Sequence, residues 1–224
     1  MTRQELAGMI DHTFLKAAGD PDAVERLCRE AKEYGFACAM VNPCEVKRAA
    51  KLLEGSGVKV GTVIGFPLGQ NSFGIKCAEA LMAIADGADE LDFVVNVRQL
   101  KSAAAEGGEA ERALGMELRR FAEIGKNSVT KLILECCYLS DGEKALGCRL
   151  AKEAGFDFVK TSTGFGSGGA TVHDVRLMRE TVGPDMGVKA AGGIRTLADA
   201  LAMVEAGANR LGCSAGVEIL KEMA

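Results

Sequence analysis

One lysine in this chain stands where an apolar strand gives way to hydroxyls and glycine. The run Phe156-Asp157-Phe158-Val159-Lys160-Thr161-Ser162-Thr163-Gly164-Phe165-Gly166 opens with two Phe and a Val, which read as buried strand, and then dissolves into Thr, Ser and Gly. Taking an ammonium out of water is expensive, so a lysine at the inner end of a strand is either paired with a carboxylate or kept partly neutral. A neutral amine attacks carbonyls, and the imine it forms is an electron sink for breaking or making a neighbouring C–C bond. The residues that follow suit a loop whose N–H groups and hydroxyls hold an anion such as phosphate. A lysine whose stem packs while its head escapes to solvent fits this segment equally well.

Two more charges sit inside apolar strands: Asp92 in Leu91-Asp92-Phe93-Val94-Val95-Asn96, and Lys189 in Val188-Lys189-Ala190-Ala191-Gly192-Gly193. If Lys189 stays cationic close to Lys160, like-charge repulsion lowers the pKa of Lys160 and leaves more of it as free amine. Asp92 then balances the remaining charge and, directly or through water, can shuttle protons during carbinolamine formation and C–C cleavage. The structural alternative is a buried Asp92–Lys189 ion pair with Lys160 as a bystander, which leaves the convergence of three costly charges unexplained. Lys59 and Lys131 open their strands at the opposite face and read as solvated ends.

These residues need elements that bring them together, and the glycines show a repeat. The segments at Gly35, Gly87, Gly155 and Gly207 each end a helix and lead at once into a strand. Gly35 to Gly87 and Gly155 to Gly207 are both 52 residues apart, the span of two successive β/α pairs. Eight strand candidates follow: Met9 to Phe14, Ala37 to Val41, Lys59 to Phe66, Glu90 to Val95, Lys131 to Cys136, Asp157 to Thr161, Gly187 to Ala190 and Asn209 to Cys213. The amphipathic segments between them are Asp22 to Tyr34, Glu45 to Glu54, Ile75 to Asp86, Glu109 to Ile124, Gly142 to Ala154, Val172 to Val182, Leu197 to Ala206 and a short one from Val217.

Eight alternating units predict an α/β fold, a closed parallel (β/α)8 TIM barrel forming one domain over residues 1–224. An open doubly wound sheet would need a Gly-rich phosphate turn after the first strand, and Asp11-His12-Thr13-Phe14-Leu15-Lys16 has none. Gly107-Gly108 reads as a loop before the fourth helix. In such a barrel the chemistry gathers at the strand C-termini. Gly192-Gly193 after strand seven and Ser214-Ala215-Gly216 after strand eight form the loop pair where barrels bind phosphate, and Thr163-Gly164 can add donors.

Composition narrows the class. Apolar residues make up 48% of the 224 residues, Pro is scarce (4) and Trp absent, as in a globular protein rather than a disordered or fibrous one. A net charge of −4 without a basic stripe argues against nucleic acid as a partner. No run approaches membrane-spanning length and the N-terminus lacks an apolar signal core, so the expectation is a cytoplasmic protein with no membrane partner. Eight cysteines without a C-x-x-C pattern read as buried reduced thiols. With only two histidines, His12 and His173, far apart, a metal site would have to be assembled from carboxylates. No metal and no cofactor is expected.

At this point the motifs carry a likeness. Asp11-His12-Thr13, Gly65-Phe66-Pro67-Leu68-Gly69, Leu91-Asp92, the Lys160-Thr161-Ser162-Thr163-Gly164 run and Lys189-Ala190-Ala191-Gly192-Gly193-Ile194-Arg195 resemble the deoxyribose-phosphate aldolase family, in order and across nearly the whole chain. The resemblance implies a metal-independent class I aldolase that splits 2-deoxy-D-ribose 5-phosphate reversibly into acetaldehyde and D-glyceraldehyde 3-phosphate, in deoxyribose phosphate catabolism. By position Lys160 looks like the imine-forming lysine, Lys189 the lysine that perturbs it, and Asp92 the proton-transfer carboxylate. Phosphate would lie near Thr163, Gly164, Gly192, Gly193 and Ser214, and Asp11 looks like a supporting residue at the mouth. The family also implies a homodimer or larger assembly.

The chain departs from the family's pattern in places. Arg98 follows strand four where a small residue is usual, Ala191 stands for Ser, Cys213 for Thr, and Cys136-Cys137 for Thr-Cys. Some members end in a tail whose tyrosine aids proton transfer. Here the tyrosines are Tyr34 and Tyr138 and the tail reads Lys221-Glu222-Met223-Ala224, so that assistance is expected to be absent or to pass to water. Three rival readings are a transaldolase or ketose-bisphosphate type of imine aldolase, a non-catalytic sugar-phosphate sensor, which would need no imine, and a metal-dependent aldolase, which would need a ligand cluster.

Overall fold

A computed structural model describes residues 1–223, so Ala224 at the end of the tail lies outside the described residues. Helix α1 (Arg3–Ala7) leads into β1 (Ile10–Phe14), followed by α2 (Ala23–Tyr34), β2 (Cys38–Val41), α3 (Val46–Leu53), β3 (Lys59–Ile64), α4 (Phe73–Ala85) and β4 (Glu90–Val94). The second half runs α5 (Val97–Glu106), α6 (Gly108–Ile124), β5 (Val129–Ile133), α7 (Asp141–Ala154), β6 (Phe158–Lys160), α8 (Val172–Val182), β7 (Gly187–Ala191), α9 (Leu197–Glu205), β8 (Arg210–Cys213) and α10 (Gly216–Lys221). The eight strands pair in sequence order, all parallel, and β8 returns to β1 to close the barrel. This is the (β/α)8 architecture that the alternation predicts.

Strand periodicity separates two cores. Residues of one parity point out to the helices, so Leu91, Phe93, Leu132, Val159, Val188 and Leu211 belong to the large apolar cluster between sheet and helices. Each such side chain contributes about 1.5–3 kcal/mol by leaving water. Residues of the other parity point into the barrel, where a small cluster of Leu15, Cys38, Met40 and Val63 fills one side. The opposite side is filled by charge. Gly187 belongs there too: a Cβ on it would sit 2.1 Å from the Phe158 ring, so glycine makes room for the aromatic that packs inside β6.

The helices start where side-chain oxygens can satisfy free N–H groups. Ser140 and Thr196 form capping boxes with Glu143 and Asp199, and Thr171 caps α8. Gly35 and Gly155 close α2 and α7 in the left-handed conformation, with φ of 69° and 91°, the role that the repeat assigns them.

Three readings need correction. Helices α1 and α5 were not expected; in α5 only Leu100 and Ala103 are buried, too sparse a stripe to stand out, and Asn96 caps it by accepting the Gln99 N–H at 3.2 Å. Gly107 therefore joins two helices and α6 starts at Gly108, so the glycine pair is not a loop standing before a single helix. The fifth strand spans Val129–Ile133 instead of 131–136, because Val129 already pairs with Glu90 across β4 and residues 136–138 turn into a short 3-10 helix. That shift moves Lys131 from a strand opening to mid-strand, pointing inward and buried.

Candidate active site

Four cations and three carboxylates share the barrel interior. Register dictates the meeting: Lys160 lies opposite Lys189, Lys189 opposite Arg210, and Asp92 opposite Lys131 on neighbouring strands, all with the inward parity. Asp92 is their hub. Its Oδ2 accepts from Lys160 Nζ at 2.7 Å and from Lys189 Nζ at 2.8 Å, while Oδ1 accepts from Lys131 Nζ at 2.9 Å. Deeper in the barrel, Lys131 also pairs with Glu90, Lys189 pairs with Asp11, and Arg210 Nη1 bridges Asp11 Oδ1 at 2.6 Å and Glu90 at 3.2 Å.

The charge count explains the titration of the group. Lys131, Lys189 and Arg210 balance Asp11, Glu90 and Asp92, which leaves Lys160 as the cation in excess. Burial lowers its pKa, Asp92 resists, and the ammonium of Lys189 lowers it further; the outcome is a pKa of about 8. Lys189 is buried as well, but Asp11 and Asp92 more than offset the loss of water and its pKa is raised. Burial would raise the Asp92 pKa; Lys131, Lys160 and Lys189 together hold it well below the usual carboxylate range. At pH 7 a lysine of pKa about 8 is about one-tenth free amine, against about one part in three thousand at the ordinary 10.5.

Lys160 sits at the end of β6, on the floor of a cavity of about 510 Å³ that opens at the C-terminal end of the barrel. Thr163, Gly164, Gly192, Gly193 and Ser214 all line this cavity, as do Ala191, Cys213 and Arg195. The loops are tied to one another: the Ala170 N–H donates to the carbonyls of Ala191 and Gly192 at 3.1 and 3.0 Å. A Cβ on Gly192 would lie 3.6 Å from the Gly164 Cα, so the two glycine backbones face each other closely.

The structure thus brings Lys160, Lys189 and Asp92 together and gathers the five loop residues around one cavity. Two placements differ from expectation. Asp11 is fully buried between Lys189 and Arg210, below the charged hub and away from the mouth, because it is the second residue of β1. Thr163 lines the cavity, yet its hydroxyl donates to Glu135 and accepts the Phe165 N–H at 3.0 Å, so it is not free to serve a ligand. Four participants escaped the sequence reading: Lys131, Glu90, Arg210 and Glu135. The β-branched Val129 and Thr130 ahead of Lys131 were the signal for an earlier strand start, and with it the inward parity of Lys131.

Among the described residues one trio has ligand atoms close enough for a metal ion, Asp11, Cys38 and Glu90. Its carboxylates already meet Lys189, Lys131 and Arg210, and burial pushes the Cys38 thiol well above its ordinary pKa. That is the signature of ion pairing, with the thiol protonated beside it.

Fold and site together define a barrel enzyme whose ionisable groups converge beneath the C-terminal ends of the strands. The chain belongs to the DeoC/LacD family of aldolases, which it matches over residues 6–222. It is an aldolase, a lyase acting on carbon–carbon bonds. It is 54% identical over 220 residues to the deoxyribose-phosphate aldolase of Bacteroides thetaiotaomicron, covering 97% of this chain and 90% of that one. It is 55% identical over 212 residues to the deoxyribose-phosphate aldolase of Streptococcus pneumoniae, covering 95% and 94%. Among solved structures, a tetrameric deoxyribose phosphate aldolase from Aeropyrum pernix superposes with a TM-score of 0.90 at 36% identity, covering 99% of this chain and 92% of that one.

Proposed function

We propose that the chain is a single-domain enzyme that splits 2-deoxy-D-ribose 5-phosphate reversibly into acetaldehyde and D-glyceraldehyde 3-phosphate through an imine on Lys160. The observation that carries this reading is a lysine of pKa about 8 on the floor of the cavity, 2.7 Å from a carboxylate and next to a second, cationic lysine. The amine nitrogen of Lys160 adds to C1 of the open-chain sugar, and the carbinolamine loses water to give an iminium ion. The C3 hydroxyl gives up its proton, the C2–C3 bond breaks, and its electron pair moves into the iminium to form an enamine while D-glyceraldehyde 3-phosphate leaves. Protonation at C2 and addition of water then release acetaldehyde and restore the amine.

Asp92 and Lys189 carry the protons in this scheme, since Asp92 Oδ2 joins the two lysines and can take a proton from one side of the site and pass it on to the other. The backbones of Gly164, Gly192, Gly193 and Ser214 hold the phosphate, with Thr163 shaping the loop in place of donating its hydroxyl. Asp11 holds Lys189 from below. The relatives named deoxyribose-phosphate aldolase support the substrate and its place in deoxyribose phosphate catabolism. No helix among the described residues is long and apolar enough to cross a membrane, and with its eight free thiols the chain suits a reducing cytoplasm.

The same reading includes self-assembly into a dimer or larger oligomer. Helix α4 turns Lys76 inward to Glu117 and leaves Phe73, Ile75, Leu81 and Met82 exposed, the apolar surface an assembly would cover. The A. pernix relative is described as a tetramer. Turnover measured with 2-deoxyribose 5-phosphate alongside transaldolase and ketose-bisphosphate substrates tests the proposal. Cleavage of the deoxy sugar alone is expected; cleavage of the ketose phosphates, or binding without cleavage, contradicts it.

A further inference from the structure

Glu135 is buried two residues beyond β5, just ahead of the short 3-10 helix, and is the one non-glycine residue with a positive φ, 57°, among the described residues. The left-handed region is unfavourable for a side chain that carries a Cβ, so the surrounding contacts must hold it there. Apart from the Cys137 thiol, which lies 4.0 Å from Glu135 Oε1, the side-chain contacts of Glu135 go to one loop. Glu135 Oε1 accepts the Thr163 N–H at 3.2 Å and Oε2 accepts the Thr163 hydroxyl, which in turn accepts the Phe165 N–H. A Cβ on Gly166 would lie 3.1 Å from the Glu135 carboxyl carbon and 2.8 Å from Cys137 Sγ, so the loop lies directly against the carboxylate.

Between Thr163 and Phe165 stands Gly164, with φ of 85°, facing Gly192 across the cavity wall. Beyond it the loop is tied down a second time, where Ala170 donates to Ala191 and Gly192. The segment is therefore anchored at both ends, once by a buried side chain from the segment that follows β5 and once by backbone. A glycine-rich loop without such anchors loses conformational freedom when an anion orders it, and that loss weakens binding.

We propose that Glu135 is a positioning residue for the substrate's phosphate group: it fixes Thr163 and Phe165 so that the Gly164 backbone is preset against Gly192 before the ligand arrives. Glu135 does not touch the reacting atoms, and this inference rests on the aldolase reading above. Its signature is selective. A sugar without the 5-phosphate does not use the cradle, so loosening the loop penalises the phosphorylated substrate more.

The test compares cleavage of 2-deoxyribose 5-phosphate with that of 2-deoxyribose for the wild-type enzyme, Glu135→Ala and Glu135→Gln, with circular dichroism confirming that each is folded. The ratio of the two kcat/KM values is expected to fall at least tenfold in Glu135→Ala, mainly through a higher KM for the phosphorylated sugar. Glu135→Gln keeps the shape and one acceptor, and is expected to recover part of that loss. An unchanged ratio in both variants, or equal losses on both sugars, overturns the positioning role. If the wild-type enzyme cleaves neither sugar, the aldolase reading fails and the inference with it; if it cleaves both and the ratio holds, the inference alone fails.

Discussion

Lys160 and Lys131 are both buried, both inside the barrel and both bonded to Asp92, yet burial and charge drive them in opposite directions. Lys131 has one oxygen of Asp92 to itself and a second carboxylate, Glu90, below it; burial is outweighed and its pKa rises. Lys160 shares the other oxygen of Asp92 with Lys189 and has no further carboxylate among its partners, so its pKa falls to about 8. The difference lies in how many carboxylates each cation shares and with whom. The deep layer is charge-neutral; the layer under the cavity holds the one cation left over, whose lowered pKa leaves part of it as free amine near neutral pH.

The strongest way to break this contrast is to remove the exceptional lysine. Lys160→Leu is expected to lose at least about a thousandfold in kcat in the deoxyribose 5-phosphate assay, as removal of a covalent nucleophile does. Asp92→Asn removes the hub from three ammonium groups, and kcat is expected to drop about a hundredfold, the order seen when a proton-transfer group is lost. Lys131→Met strands Glu90 and Asp92 without their shared cation; urea denaturation is expected to show a loss of about 3–5 kcal/mol, the usual cost of halving a buried ion pair.

Stability sharpens the comparison further, because the two lysines have opposite linkage. The folded-state pKa of Lys160 lies below the unfolded value of 10.5, so the folded chain holds fewer protons between pH 8 and 10.5. Its cost to folding is full below pH 8 and fades as pH rises to 10.5. Relative to wild type, the stability of Lys160→Leu should therefore fall by on the order of 3 kcal/mol between pH 7 and pH 10.5 in parallel denaturation curves. The smallest effect concerns the activity profile. Wild-type kcat/KM should climb with pH through about 8 as the amine is freed, and Lys189→Met, which removes the repulsion, should move that limb to higher pH.

Much of this arrangement was legible beforehand where the chain repeats itself. Glycines at helix ends and alternating apolar runs gave away eight β/α units, and Asp92, Lys160 and Lys189 stood out as charges inside apolar strands. Lys131 was hidden because a strand that starts two residues earlier reverses nothing in composition but turns an apparent end into a middle. Glu90 and Arg210 open their strands, where charge is unremarkable until the register shows them facing inward. Glu135 is legible only from its positive φ and its hold on Thr163, both products of the tertiary structure. The loop positions at the mouth follow from strand order, and Thr163, Gly164, Gly192, Gly193 and Ser214 do line one cavity, but a threonine beside a glycine gives no sign of where its hydroxyl points.

The central claim is that Lys160 is the nucleophile and Lys131 and Lys189 are not. Purified protein treated with acetaldehyde and borohydride, digested and examined by mass spectrometry, tests it most directly. A single ethyl adduct on Lys160 is the predicted result, lost in Lys160→Leu. No adduct, or one on Lys131, Lys189 or scattered surface lysines, would contradict the account.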